Sequence, residues 1–182
     1  MADAFQRPGH DHFRPLRPFR TAGCALALLG LLAGPALASE PLLTLHAADG
    51  RQAVLDRDAL EALPQHEFST ETYWTWEEQR FSGPLLSDVL ELAGLPGPAS
   101  GGVIELVADD GYHSRIDLGE AAQYFAPTYP IIATRINGAP FPIEENGPLW
   151  VMFPYDAHPE LNIEPVHHMT VWQLLEIVEK PE

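Results

Sequence analysis

The chain alternates short apolar runs with clusters of turn-forming residues, and that rhythm predicts many short strands with a few short helices. Residues 43–47 alternate apolar and polar side chains, Asp49-Gly50 follows as a turn, and residues 52–55 return, the signature of a β-hairpin. Asp56-Arg-Asp58 stands where it can cap a short helix over residues 59–63 that Pro64 ends. β-branched and aromatic content makes residues 68–72 extended, Gly83-Pro84 turns the chain, and Leu85, Leu86, Val89, Leu90 and Leu92 share one helical face. After a Gly/Pro-rich connection over residues 95–102, Val103–Ala108 reads as an apolar strand that delivers Asp109-Asp-Gly-Tyr112, and residues 114–116 continue it. Residues 118–124 read as a helix, 131–136 as a strand closed by Asn137-Gly138, 151–153 as a buried strand, and 162–165 as irregular. For residues 171–178 periodicity leaves a last strand and an amphipathic helix both open. The fold class expected is α+β, a mixed β-sheet domain with a few short helices.

The length of 182 residues and a hydrophobic fraction of 46% suit one globular domain. Residues 1–38 are expected to lie outside it. Arg7, Arg14, Arg17 and Arg20 precede an apolar run over residues 22–32, and Ala36-Leu-Ala38 supplies the small residues of a signal-peptide cleavage site after Ala38. The run is short for a permanent membrane span. This predicts a periplasmic domain over residues 39–182.

Cys24, the one cysteine, falls at the start of the apolar run rather than after it, where a lipobox would place it, and is expected to leave with the leader. The remaining chain then has no disulfide, thiolate zinc site, cysteine nucleophile or thiolate-ligated metal centre. Removing four Arg and two Asp leaves six cations against 24 carboxylates, a formal net charge of −18. Such a surface repels nucleic-acid phosphates and anionic lipid, so no nucleic-acid partner is expected.

Residues 69–76 concentrate chemistry: two Trp, one Tyr and the hydroxyls of Ser69, Thr70, Thr72 and Thr75. Rings to stack on beside small hydroxyls suit a flat polar heterocycle, although Trp and Tyr in a small β-rich domain also serve as half-buried core. His158, His167 and His168 with Glu160 and Glu164 offer the competing chemistry of a metal site, but their spacing matches no compact metal signature. On a strand, adjacent His167 and His168 would point to opposite faces. No G-x-S-x-G, phosphate-cradling Gly loop or C-x-x-C-H haem attachment is present.

In order along the chain stand Thr70-x-Thr72-x-Trp74, Phe81-x-Gly83-x-Leu85, Asp110-Gly-Tyr112, Ala133-Thr-Arg135 with Asn137-Gly138, and Gly147-Pro-Leu-Trp150 followed by Phe153-Pro-Tyr-Asp156. Together they resemble the oxidoreductase molybdopterin-binding domain, the sulfite-oxidase-like fold, in a small stand-alone secreted form spanning residues 41–178. The family ligates molybdenum through a cysteine thiolate, and the corresponding stretch here, residues 69–74, holds hydroxyls instead. A soft thiolate and a hydroxyl are not equivalent metal ligands, which puts the sulfite-oxidase reaction in doubt.

Cysteine-free members of this kind are similar to periplasmic pterin-binding proteins that act through a membrane-bound cyclic-dinucleotide signalling enzyme. The resemblance therefore implies a pterin ligand, molybdopterin among the possibilities, with Trp74 as the stacking platform and Thr70 and Thr72 at the ligand's edge. Asp110 either accepts from an amino-pyrimidine edge or closes its own turn. Tyr112 closes the pocket or is core. Arg135 pairs a ligand anion or an acidic neighbour. Trp150 and Tyr155 flank the 151–153 strand, at least one of them as core. The alternatives are an oxidoreductase subunit with a cysteine-free molybdenum cofactor site and a membrane cytochrome partner, and an interaction domain without a ligand.

Overall fold

The computed structural model describes residues 40–181, so the expected leader and Cys24 lie outside the described residues. The first hairpin forms as read. Strand β1 (Pro41–His46) and β2 (Gln52–Asp56) pair antiparallel with Leu45 opposite Ala53, and the alternation buries Leu43 and Leu45. Asp56 then accepts from the Ala59 N–H at 2.8 Å and caps α1 (Arg57–Glu61).

The segment with two open readings is a strand from Leu174 onward. That strand, β10 (Leu174–Lys180), runs parallel to β1, with Ile177 beside Leu45, and antiparallel to β5 (Val103–Ala108). With β6 (His113–Asp117) at the far edge, the five-stranded sheet has the order β2-β1-β10-β5-β6. Its inner face buries Leu43, Leu45, Ile104, Leu106 and Ile177 against α2 (Leu86–Leu92), which contributes Leu86, Val89 and Leu90. Helix α3 (Leu118–Ala121), capped by Asp117, continues as a 3₁₀ turn over Ala122–Tyr124.

Two smaller sheets carry the rest, and here the structure departs from the sequence reading. The Gly83-Pro84 pair does not turn the chain; it ends β4 (Gln79–Pro84), which pairs with β3 (Gln65–Thr70) on one side and β8 (Arg135–Ile136) on the other. Glycine is required there for approach. A Cβ on Gly83 would stand 1.9 Å from the Ile132 carbonyl oxygen, so any side chain would push the two segments apart.

Residues 131–136 are likewise not one strand. Strand β7 (Ile131–Ala133) pairs with β9 (Trp150–Met152), while β8 joins β4, and fully buried Thr134 is the joint between them. Its N–H donates to the Ser82 carbonyl at 2.9 Å and its carbonyl accepts from Arg57 Nη1 at 2.6 Å. The backbone at the break is therefore satisfied although it leaves the ladder. Arg135 closes the corner by donating from Nε and Nη2 to the two oxygens of Glu61, both at 2.9 Å. The hydrogen bonds from Arg135 hold the Glu61 carboxyl below its usual range.

The third difference is α4 (Glu164–Met169), whose first two residues fall in the stretch 162–165 read as irregular. Pro165 sits in its first turn, where a missing N–H costs nothing. A second apolar cluster, Phe81, Leu85, Ile131, Ala133, Phe141, Trp150 and Met152, fills the space between the small sheets, and Phe68, Trp74, Ile136 and Trp172 pack against it. Among the described residues no helix is long and apolar enough to cross a membrane.

The close approach at Gly83 gives a direct test. Gly83→Ala should cost at least about 2 kcal/mol, at the upper end of overpacking penalties, seen as a lowered midpoint in urea unfolding. Wild-type stability in that variant would mean that β4 and β7 are not in contact there.

Candidate functional site: an aromatic cleft at the end of β5

Three segments converge beyond Ala108. The turn after β5 is held by Asp110, whose Oδ1 accepts the Tyr112 N–H at 2.9 Å while Gly111 takes φ +82°. Asp110 thus does close its own turn, and a carboxylate has acceptor capacity left beyond one such bond. Tyr112, 43% exposed, reaches the Nδ1 of His168 with its hydroxyl at 3.2 Å. The Nε2 of His168 lies 3.7 Å from Glu164 Oε1, one turn earlier on α4.

The second segment is α4 itself and the chain that leaves it. Its C-terminal turn is tied down from below: Ser114 Oγ donates to the His168 carbonyl at 2.5 Å and Thr170 Oγ1 to the Val166 carbonyl at 2.9 Å. Since the Thr170 proton is committed, the buried Tyr155 hydroxyl is the donor in its own hydrogen bond to Thr170. Burial pushes the Tyr155 phenol up to about 12. His167 Nε2 donates to Asn162 Oδ1 at 2.8 Å, and its ring meets Trp74 and Tyr155 edge-on, both at 5.7 Å.

The third segment is the hydroxyl-rich loop. Thr70, fully buried, donates to the Glu71 carbonyl at 3.0 Å and accepts the Asp156 N–H at 3.1 Å. Thr72 Oγ1 accepts the Trp74 N–H at 3.1 Å and bonds Thr75 Oγ1, also at 3.1 Å. Each hydroxyl thus spends its proton and one lone pair on folding the loop, and through Thr72 the loop presents Trp74. That ring lies 5.5 Å from Trp172 and 6.5 Å from Trp150, edge-to-face in each case.

Between these segments lies a cleft of about 350 Å³, lined by Trp74, Trp172, Ala108, Val171 and Thr170, with Asp110, Tyr112, His167, His168 and Glu164 around it. Its volume is within the range of small-molecule sites, and it combines apolar faces with a few convergent polar groups. Of the residues singled out from the sequence, it gathers Trp74, Asp110 and Tyr112 from the expected ligand set, and Glu164, His167 and His168 from the competing metal set. Thr72 and Tyr155 line a smaller neighbouring cleft that shares His167, and Trp150 lines a third that shares Trp74. Thr70 lines none of the three, and Arg135 is engaged by Glu61 in a separate surface depression.

The opposite-face expectation for His167 and His168 is corrected: on a helix rather than a strand, both reach the same cleft. Trp172 is the residue sequence reading missed. It lies just before β10, in an isolated bridge with Trp150, and nothing in the ambiguous periodicity of that segment marked it. The helix bearing the histidines had a usable signal, a proline at its start followed by Val166 and Met169 at i, i+3 spacing.

No protein-family model and no curated protein sequence matches the chain. A solved structure does: the chain is similar to sulfane dehydrogenase SoxCD from Paracoccus pantotrophus, with TM-score 0.53 and 14% identity over 77% of this chain. The likeness is one of fold. The α+β, sulfite-oxidase-like architecture expected from the order of the motifs is the one the chain adopts. The chain spans 38% of the length of that dehydrogenase chain.

The burial of the Tyr155 phenol predicts an alkaline signature. An unfolded tyrosine loses its proton near pH 10, whereas Tyr155 in the folded protein keeps its own to about 12. The folded state therefore binds more protons between those values, and the stability contributed by the raised value is present below pH 10 and lost as pH rises toward 12. Unfolding free energies of wild type and Tyr155→Phe, compared from pH 9 to 12, should converge as pH rises. Parallel curves would refute the assignment.

Proposed function

We propose that the domain is a pterin-binding module of the periplasm that senses or carries its ligand and acts through a membrane signalling partner. The observation that carries this reading is the aromatic cleft with the Asp110 carboxylate on it. A pterin is a flat bicycle with a donor-rich amino-pyrimidine edge. Trp74 or Trp172 offers the face, and Asp110 accepts two parallel N–H bonds from that edge without giving up its turn. Tyr112 and His168, already hydrogen-bonded to each other, supply a donor and acceptor pair beside it. The leader-like pattern of residues 1–38 supports the compartment, and the resemblance supports a cyclic-dinucleotide enzyme as the kind of partner.

The dehydrogenase fold favours a second reading, an oxidoreductase subunit that takes a molybdenum cofactor and hands electrons to a membrane cytochrome. The cleft fits that group poorly. A pterin dithiolene carrying a phosphate is strongly anionic, yet none of the six cations among the described residues lines the cleft, and Asp110 and Glu164 do. No cysteine is present among the described residues to ligate the metal. A metal-free pterin without a phosphate meets neither obstacle.

Protein purified from its native periplasm, denatured and analysed by mass spectrometry for released small molecules and metals separates the two readings. Metal-free pterin supports the first, and molybdenum with a dithiolene pterin establishes the second. The role of Asp110 is tested with Asp110→Asn, which keeps the acceptor that closes the turn and removes the charge. Pterin affinity should fall about tenfold, the scale of a charge-assisted hydrogen bond, with the melting temperature unchanged. Unchanged affinity would remove Asp110 from the site.

A further inference from the structure

The cleft that shares Trp74 with the pterin site holds about 350 Å³ and has a chemistry of its own. Trp74, Trp76 and Trp150 form its aromatic surfaces, Glu77 and Glu145 its charges, and Gln79 and Asn146 add amides. Trp76 is completely exposed, at 102%, and Tyr73 on the same loop is 88% exposed. Tyr73 meets Trp74 edge-on at 6.1 Å and lines the smaller cleft, whereas the Trp76 ring is held in water with no share in the core. Trp150, by contrast, is 1% exposed, and its indole N–H is a buried donor with no acceptor in the protein. Buried donors of this kind are rare in folded proteins.

The electrostatics select the ligand class. No Lys or Arg lines the cleft, and the nearest cations in sequence are committed elsewhere: Arg80 to Glu67 at 3.7 Å and Arg135 to Glu61 at 2.9 Å. Two carboxylates without a counter-cation, lining the same cleft as a fully exposed Trp, repel anions and favour positive charge. An indole face is the best aromatic partner for a cation, and aromatic walls with carboxylates recur where proteins hold ammonium groups. A guanidinium gains in addition a planar fork that one carboxylate can accept.

We infer that this second cleft binds an organic cation, an ammonium or guanidinium group, with Trp76 as the face and Glu77 and Glu145 as the counter-charges. The group arrives either as a free amine or as a basic side chain on a protein partner; the chemistry of recognition is the same. This site is independent of what occupies the neighbouring cleft, apart from the ring of Trp74.

The test uses the purified protein with ¹⁵N-labelled Trp indoles, titrated with tetramethylammonium chloride, with N-acetyl-argininamide, and with the uncharged controls tert-butanol and N-acetylglucosamine. Saturable movement of the Trp76 indole resonance is expected with at least one cation and with neither control. Tighter tetramethylammonium binding identifies a free quaternary amine as the source, and tighter N-acetyl-argininamide binding a partner's basic side chain. Trp76→Ala should weaken binding about tenfold, and Glu145→Gln should weaken it and flatten its salt dependence. Both positions are exposed, so circular dichroism and melting temperature should not change. Saturation by the sugar, equal response to tert-butanol, no saturable response to either cation, or unchanged affinity in Trp76→Ala would each overturn the proposal.

Discussion

Trp150 is the side chain against which the candidate site is built. It lies in the short ladder between β9 and β7, 1% exposed, and three rings meet it edge-to-face: Phe81 at 5.6 Å, Trp172 at 6.2 Å and Trp74 at 6.5 Å. Each such pair adds about 0.5–1.5 kcal/mol beyond the area it buries, and together they fix orientation as well as position. Through these contacts a strand of the smallest sheet, the hydroxyl-rich loop and the chain entering β10 are brought to one place. The Trp74 and Trp172 surfaces that face the cleft are thereby set by packing rather than left to rotamer choice.

The polar half of the site is held by a different device. Ser114 and Thr170 bind the last carbonyls of α4, which a helix that short would otherwise leave to solvent, and Tyr155 supports Thr170 from below. His167 and His168 project from the turn so anchored. Charge is distributed with equal consequence. Arg51, Arg57, Arg80, Arg135 and Lys180 each pair with a carboxylate, so the surplus of acid is left on surfaces such as those around the two larger aromatic clefts. Local field, not only shape, would thus discriminate among flat ligands of similar size at these clefts.

What was legible in the sequence was what local rules govern. The alternation in residues 43–47, the apolar run of β5, the Asp110 turn and the buried face of Leu85, Leu86, Val89 and Leu90 all appear where their patterns place them, whereas Leu92, read onto that face, is exposed. The failures share a cause. Gly83-Pro84 looks like a turn because those residues usually make one, yet here the glycine answers to the Ile132 carbonyl, more than forty residues away in sequence. The break at Thr134 is imposed by Ser82 and Arg57, and no property of residues 131–136 alone encodes it. Within the site, Trp74 was legible because its loop is compositionally extreme. The hydroxyls of Thr70 and Thr72 bond within the fold of their own loop and its neighbour, and hydroxyl groups that fold a loop and hydroxyl groups that meet a ligand are the same in sequence.

One indole, that of Trp74, is a wall of two clefts at once. Its amide is fixed by Thr72, but the ring projects beyond the loop with a different neighbourhood on each side. Because that ring is held by its neighbours, an occupant that presses on one face shifts the whole packed unit slightly and changes the width of the space next door. Thermodynamic linkage then requires that the second occupant favour or oppose the first by the same free energy. A partition that both rooms share is a two-way communication device, and it needs no hinge, no domain motion and no second conformation of the backbone.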